Sequence, residues 1–183
     1  MALFRRTKKP AEPRCGAVVV AAGSSTRMGE DKILIPLEEE PVIVHTVRAL
    51  ELAPQITEIV VVTRQDLIVP VAQLCQDYGF EKVRKVVAGG ASRLHSVRIG
   101  TLELSRDLEL IAIHDGARPF VTQDVIEQVI RKAGECGAAA PRRASITAWV
   151  RTSASECPSS PRGWGTSTPP RIRRRPSTSR CTS

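Results

Sequence analysis

The chain has 183 residues and a formal net charge of +8, a length that suits one α/β domain with a sizeable core. The charge is unevenly placed: residues 1–140 hold 18 basic and 18 acidic side chains, whereas residues 141–183 hold nine arginines, no lysine and the single acid Glu156. A neutral body argues against a body built to bind nucleic acid, and the five cysteines, odd in number and without a Cys-x-x-Cys pair, read as reduced thiols of a cytosolic protein.

In chain order, residues 1–13 are positively charged but contain no apolar run, so they predict a short disordered extension and neither a signal peptide nor a membrane anchor. Residues 17–22 form a short β-branched apolar run, the pattern of a central parallel strand covered on both faces. After Lys32 comes a short extended piece at 33–37, then a helix over 41–53 with Pro41 in its first turn and Val42, Val44, Val47 and Leu50 apolar. A second strand is predicted at 56–63, and a second helix at 66–78, where Pro70 is tolerated only near the start. The third strand covers 82–88, the next helix 93–104, the fourth strand 110–114, and a helix capped by Thr122 runs over 122–133. A fifth strand begins at 137–140, and apolar periodicity stops at Pro141. Strands alternating with helices predict an α/β fold with a Rossmann-like open, mostly parallel sheet and helices on both faces.

Three loops fall at carboxyl ends of these strands, where open α/β sheets place their ligands. The first, 23–29 with Lys32 beyond, combines a tight turn at Gly23, small side chains from Ser24 to Thr26, and two cations, Arg27 and Lys32. Exposed N–H groups of Ala21, Ala22, Gly23 and Ser24 could point at phosphate oxygens. The spacing fits neither a Walker loop nor the Gly-x-Gly-x-x-Gly of dinucleotide-binding folds, and a strand-to-helix turn with a surface Arg and Lys fits this segment as well. The second loop, Gly89-Gly90-Ala91-Ser92-Arg93 with Ser96, lets the backbone approach a flat ring and offers groups that hydrogen-bond a base; alternatively it is a Gly-Gly turn with Ser92 as a helix cap. The third, His114-Asp115-Gly116-Ala117-Arg118-Pro119, places a carboxylate where it could hold Mg²⁺ opposite a triphosphate, the alternative being an Asp–Arg surface pair. His45, His95 and His114 show no metal-ligand spacing.

Taken together, 21–29 with Lys32, Gly89-Gly90-x-x-Arg93-x-x-Ser96-Val97, and 114–119 resemble the family of 2-C-methyl-D-erythritol 4-phosphate cytidylyltransferases of the non-mevalonate isoprenoid pathway, over about residues 14–140. The resemblance implies a nucleotide-diphospho-sugar transferase type of fold, CTP as substrate, Mg²⁺ as cofactor, and a cytoplasmic homodimer. It implies that Arg27 and Lys32 are catalytic, contacting the triphosphate and the charge that develops on it. By the same resemblance Gly89, Gly90 and Ser96 read cytosine, Arg93 supports that loop, Asp115 holds Mg²⁺ and the ribose, and Arg118 helps bind the polyol phosphate. Where the family usually has Ala, this chain has Gly116, a change expected to leave the loop undisturbed.

Beyond Pro141 the chain departs from that pattern. Residues 141–183 hold nine Ser, six Thr and six Pro, no Leu, no Asp and both tryptophans. They are expected to form a disordered, non-native tail from a shifted reading frame of a GC-rich gene, the other reading being a basic tail that binds nucleic acid. The family's dimer arm and late lysine are not recognisable there. The domain is therefore expected to be truncated on its C-terminal side, to bind CTP weakly, and to be poorly stable because its fifth strand leaves an open edge. A ribitol-phosphate, sugar-phosphate or molybdopterin nucleotidyltransferase remains the alternative enzyme.

Overall fold

The computed structural model describes residues 13–23, 31–141 and 146–151. A six-stranded sheet is assembled in the order β5-β4-β1-β6-β8-β7, from β1 (Cys15–Ala21), β4 (Ile56–Thr63), β5 (Val83–Ala88), β6 (Leu110–Asp115), β7 (Ala138–Ala139) and β8 (Ile146–Val150). The first four of these are mutually parallel, and β8 runs antiparallel to both its neighbours. Of the extended piece expected at 33–37 only 36–37 is strand: residues 33–35 form a turn, and β2 (Pro36–Leu37) pairs with β3 (Glu40–Pro41) in a short hairpin that includes Pro41, so the following helix begins at Val42.

Burial explains the run of apolar residues in the centre. Alternate positions of β1 point to opposite faces, and both faces are covered: Ala17, Val19 and Ala21 join one cluster and Val18 the other. On the first face lie α1 (Val42–Glu51), α2 (Ile68–Asp77) and α4 (Gln123–Cys136), contributing Ile43, Val47, Val71, Ile126 and Ile130. On the second lies α3 (Arg93–Glu103), whose Gly100 permits close approach, since a Cβ there would stand 2.4 Å from Val18. Leu104 and Leu108 complete that side.

The helix starts follow their sequence signals. Ser92 accepts a hydrogen bond from the His95 N–H at 3.1 Å and Thr122 one from the Val125 N–H at 3.4 Å, satisfying donors that the first turn leaves open. Pro70 is the third residue of α2 and costs it nothing. α4 extends to Cys136 and stops at Gly137, which takes the left-handed conformation with φ 85°.

The segment after Pro141 requires a correction. Residues 146–150 are a strand inserted between β6 and β7; the segment at 137–140 pairs with β8 on one side and is the outermost strand of the sheet among the described residues. Ile146 and Ala148 are buried against the first cluster, while Trp149, on the opposite face, packs against the second. Only Ile146 and Ala148 of its five residues are buried, too short a signal to stand out from Ser- and Arg-rich surroundings in a reading based on composition. The rest of the expected tail, 152–183, lies outside the described residues.

Candidate active site

The site is built where β1, β4, β5 and β6 end on one edge of the sheet. Ala21, Ala22 and Gly23 close β1, with Ala21 buried and Gly23 exposed. Ser24 and Arg27 lie outside the described residues. Lys32 is exposed in a turn in which the Asp31 carbonyl accepts the N–H groups of Leu34 at 2.8 Å and Ile35 at 3.2 Å. That turn is anchored by buried Ile33, whose carbonyl accepts the Ile43 N–H at 2.9 Å.

The loop after β5 is packed directly on the loop after β1. The Gly89 N–H donates to the Thr63 carbonyl at 2.7 Å, and a Cβ on Gly89 would meet the Ala22 methyl at 2.3 Å and Ser96 Oγ at 2.8 Å. Only glycine lets these segments touch. Ser96 is buried; its hydroxyl donates to the Ser92 carbonyl at 3.0 Å and accepts the Gly90 N–H at 3.1 Å. Its one proton is therefore used inside the loop, and one lone pair is left for other partners. Ser92 caps α3, as the turn-and-cap description expects, and Gly89 packs against Ala22.

Asp115, the last residue of β6, joins this loop to the next one. Its Oδ1 accepts from Arg93 Nη2 at 2.7 Å and Nε at 3.2 Å, and Oδ2 is paired with Arg118 Nε at 3.4 Å. Three residues assigned separately from sequence thus form one cluster. Among the described residues no group of three or more His, Cys, Asp and Glu could hold a metal. A lone carboxylate suits Mg²⁺, which takes one or two protein oxygens and fills its octahedron with phosphate and water.

His114 and Gly116 shape the loop that carries Asp115 and Arg118. His114 is buried, its Nε2 donates to the Arg118 carbonyl at 3.0 Å, and Nδ1 has no hydrogen-bond partner among the described residues. Because a carbonyl only accepts, the proton sits on Nε2. Burial pushes the imidazole below its ordinary pKa, and the hydrogen bond to Arg118 opposes that shift in part. At Gly116 a Cβ would stand 2.8 Å from the Ala21 methyl and 3.2 Å from Ile43. A methyl at 116 would therefore require β1 and this loop to move apart.

Sequence reasoning also missed Arg64 and Asp31. Arg64 follows β4 directly and binds Asp31 through two hydrogen bonds, Nη1 to Oδ1 at 2.5 Å and Nη2 to Oδ2 at 2.9 Å. No periodicity or motif marks that pair, which joins positions far apart in the chain.

Four parallel strands carrying the loops at their carboxyl ends, continued by an antiparallel strand, define the nucleotide-diphospho-sugar transferase fold. The family model described as 2-C-methyl-D-erythritol 4-phosphate cytidylyltransferase matches residues 15–156, and the chain belongs to that family. The match continues past Pro141 and includes β8. A curated relative of that name from Alkaliphilus metalliredigens is 44% identical over 124 residues, covering 66% of this chain and 52% of its own. The solved 4-diphosphocytidyl-2C-methyl-D-erythritol synthase of Anaerococcus prevotii superposes with a TM-score of 0.61 at 27% identity, over 69% of this chain and 53% of its own. A cytidylyltransferase from Leptospira borgpetersenii, at TM-score 0.59 and 15% identity over 75% and 60% of the two chains, shares the fold. The chain spans about half the length of the curated relatives it matches. Among the described residues no helix is long and apolar enough to cross a membrane.

Proposed function

We propose that this chain carries the nucleotide half of a cytidylyltransferase that joins CMP from CTP to 2-C-methyl-D-erythritol 4-phosphate, releasing pyrophosphate. The observation that carries the reading is the contact of three loops at one strand edge: Gly89 against Ala22, and Arg93 with Arg118 around Asp115. In this reading the polyol phosphate oxygen attacks the α-phosphorus of CTP in line, the new O–P bond forms as the bond to the β-phosphate oxygen breaks, and no side-chain nucleophile is needed. The protein's contribution is then positioning and charge neutralisation.

Lys32 and Arg27 would meet the triphosphate and the charge that grows on it. Gly89, Gly90 and Ser96 would face the cytosine, Arg93 would hold their loop, and Arg118 would take the polyol phosphate. Asp115 would hold Mg²⁺, which when bound neutralises phosphate charge, and would also hold the ribose. Arg93 and Arg118 hold the Asp115 carboxylate in place for such a partner.

A pyrophosphate-release assay with CTP, Mg²⁺ and each candidate polyol phosphate, run on the full chain and on the chain with its C-terminal part restored from a full-length relative, tests the reading. The restored protein is expected to prefer CTP and methylerythritol phosphate. Preference for ribitol phosphate would move the assignment to that enzyme, and preference for another nucleotide would remove the role given to Gly89, Gly90 and Ser96.

A further inference from the structure

Lys32 stands between two fixed points. On one side is buried Ile33; on the other is Asp31, gripped by Arg64. We propose that Arg64 is a positioning residue for Lys32, and that its two-pronged contact with Asp31 sets where the lysine stands relative to the carboxyl ends of β1 and β4. The proposal rests on the reading of Lys32 as a cation that meets the triphosphate.

The backbone of Arg64 is fixed by what surrounds it. It follows Thr63 at the end of β4 in an extended conformation, φ −69° and ψ 155°, and its carbonyl accepts the Leu67 N–H at 3.1 Å as the chain turns into α2. Its guanidinium is fixed as well. Besides the pair to Asp31, Nε donates to Asp66 Oδ1 at 3.0 Å and Nη2 to Asp66 Oδ2 at 2.6 Å. Asp66 thus holds one edge of the planar fork and leaves the other edge aimed at Asp31, a geometry a lysine could not supply.

From Asp31 the constraint passes to Lys32 through the turn. The Asp31 carbonyl holds the Leu34 and Ile35 N–H groups, and the Val42 N–H donates to the Ile35 carbonyl at 3.0 Å. A lysine has four rotatable carbons and samples many positions, so fixing its Cα restricts where its ammonium can go. The Arg64–Asp66 contact adds little stability, because Asp66 is 63% exposed and exposed ion pairs contribute little, so what Asp66 supplies is the orientation of the guanidinium. Orientation of the neighbouring cation is what a forked pair at this place provides.

Two measurements on the full chain test the proposal. Amide hydrogen exchange is compared between wild type and Arg64→Ala: Leu34 and Ile35 are expected to exchange about tenfold faster or more as their turn loosens, while β4 amides keep their rates. CTP dissociation constants in Mg²⁺ are then measured for wild type, Lys32→Ala, Arg64→Ala and the double variant. Arg64→Ala is expected to weaken binding ~3- to 10-fold when Lys32 is present and not at all when it is absent, the signature of one residue acting through another. Unchanged exchange at Leu34 and Ile35 overturns the proposal, as does an equal loss of affinity in both backgrounds. If loosening occurs but Lys32→Ala leaves CTP binding unaltered, Lys32 does not meet the triphosphate of bound CTP and the proposal is overturned. Should Arg64→Ala disturb β4 as well, Asp31→Asn, which removes the charge and keeps the shape, takes its place in both measurements.

Discussion

At the scale of single residues, the site works by spending polar groups on each other before any ligand arrives. The His114 N–H holds the carbonyl of Arg118, and both arginines hold Asp115. His114 makes the pH behaviour predictable. Its native pKa lies below the ordinary 6.5, so above that value it is neutral in both states and costs nothing. As pH falls through 6.5 toward the native value, the unfolded chain takes up the proton first and stability drops. The melting temperature of the wild type should therefore fall more between pH 7 and pH 5 than that of His114→Gln; parallel pH profiles would refute this. For the cations, Lys32→Ala and Arg27→Ala in a restored full-length protein should each lower kcat on the order of 100-fold, as for the loss of a transition-state donor. A change confined to KM would contradict a role in the transition state.

At the scale of elements, the two loops that meet at Gly89 have no room for a side chain. Gly89→Ala should destabilise the fold by about 1–3 kcal/mol, the usual cost of forcing a methyl into a packed contact, and should weaken CTP binding; an unchanged denaturation midpoint would show that the Ala22 contact yields freely. Strand β8 is the element that sequence reasoning lost. Ile146 is fully buried in it, so Ile146→Ala should cost about 2–5 kcal/mol in urea unfolding. If residues 146–150 instead lay outside the domain, the substitution would change nothing. The four parallel strands and the helices were legible because each carries its own local mark: an unbroken apolar run for strands, spaced apolar residues for helices, and Ser92 and Thr122 before two of them, whereas Gly137, read as the start of a strand, is where α4 stops. β8 carries two buried side chains, Ile146 and Ala148, in a stretch rich in Arg, Ser and Thr, and its partner strand β6 is remote in the chain. The site loops were legible for the same local reason, since Gly, Asp, Arg and Lys gather after strands. Contacts such as Arg64 with Asp31, or Ala21 with the empty position at Gly116, depend on strand order and leave no trace in either segment alone.

At the scale of the whole molecule, the core divides cysteine chemistry as it divides polarity. Burial pushes the Cys15 thiol up to about 12 and, with the nearby Glu51 charge adding to it, Cys75 to about 11, whereas Cys136 is exposed. A thiol-specific reagent at pH 8 followed by peptide mapping should label Cys136 quickly and leave Cys15 and Cys75 unmodified until the chain unfolds; rapid labelling of Cys15 would mean that the centre of the sheet opens readily.

Placing β8 between β6 and β7 has a consequence for the order in which the protein is made. The chain finishes β6 at Asp115 and then α4 and β7 before Ile146 is added, yet β7 reaches the sheet only through β8. For on the order of a few seconds, at ~5–20 residues per second of synthesis, the outer edge of β6 stands bare beside a strand that cannot yet join it. During that interval the nascent chain exposes a row of unpaired N–H and C=O groups able to recruit a neighbour. Newly made chains should therefore be most prone to associate just before Ile146–Val150 leaves the ribosome, and least prone once it has closed the gap.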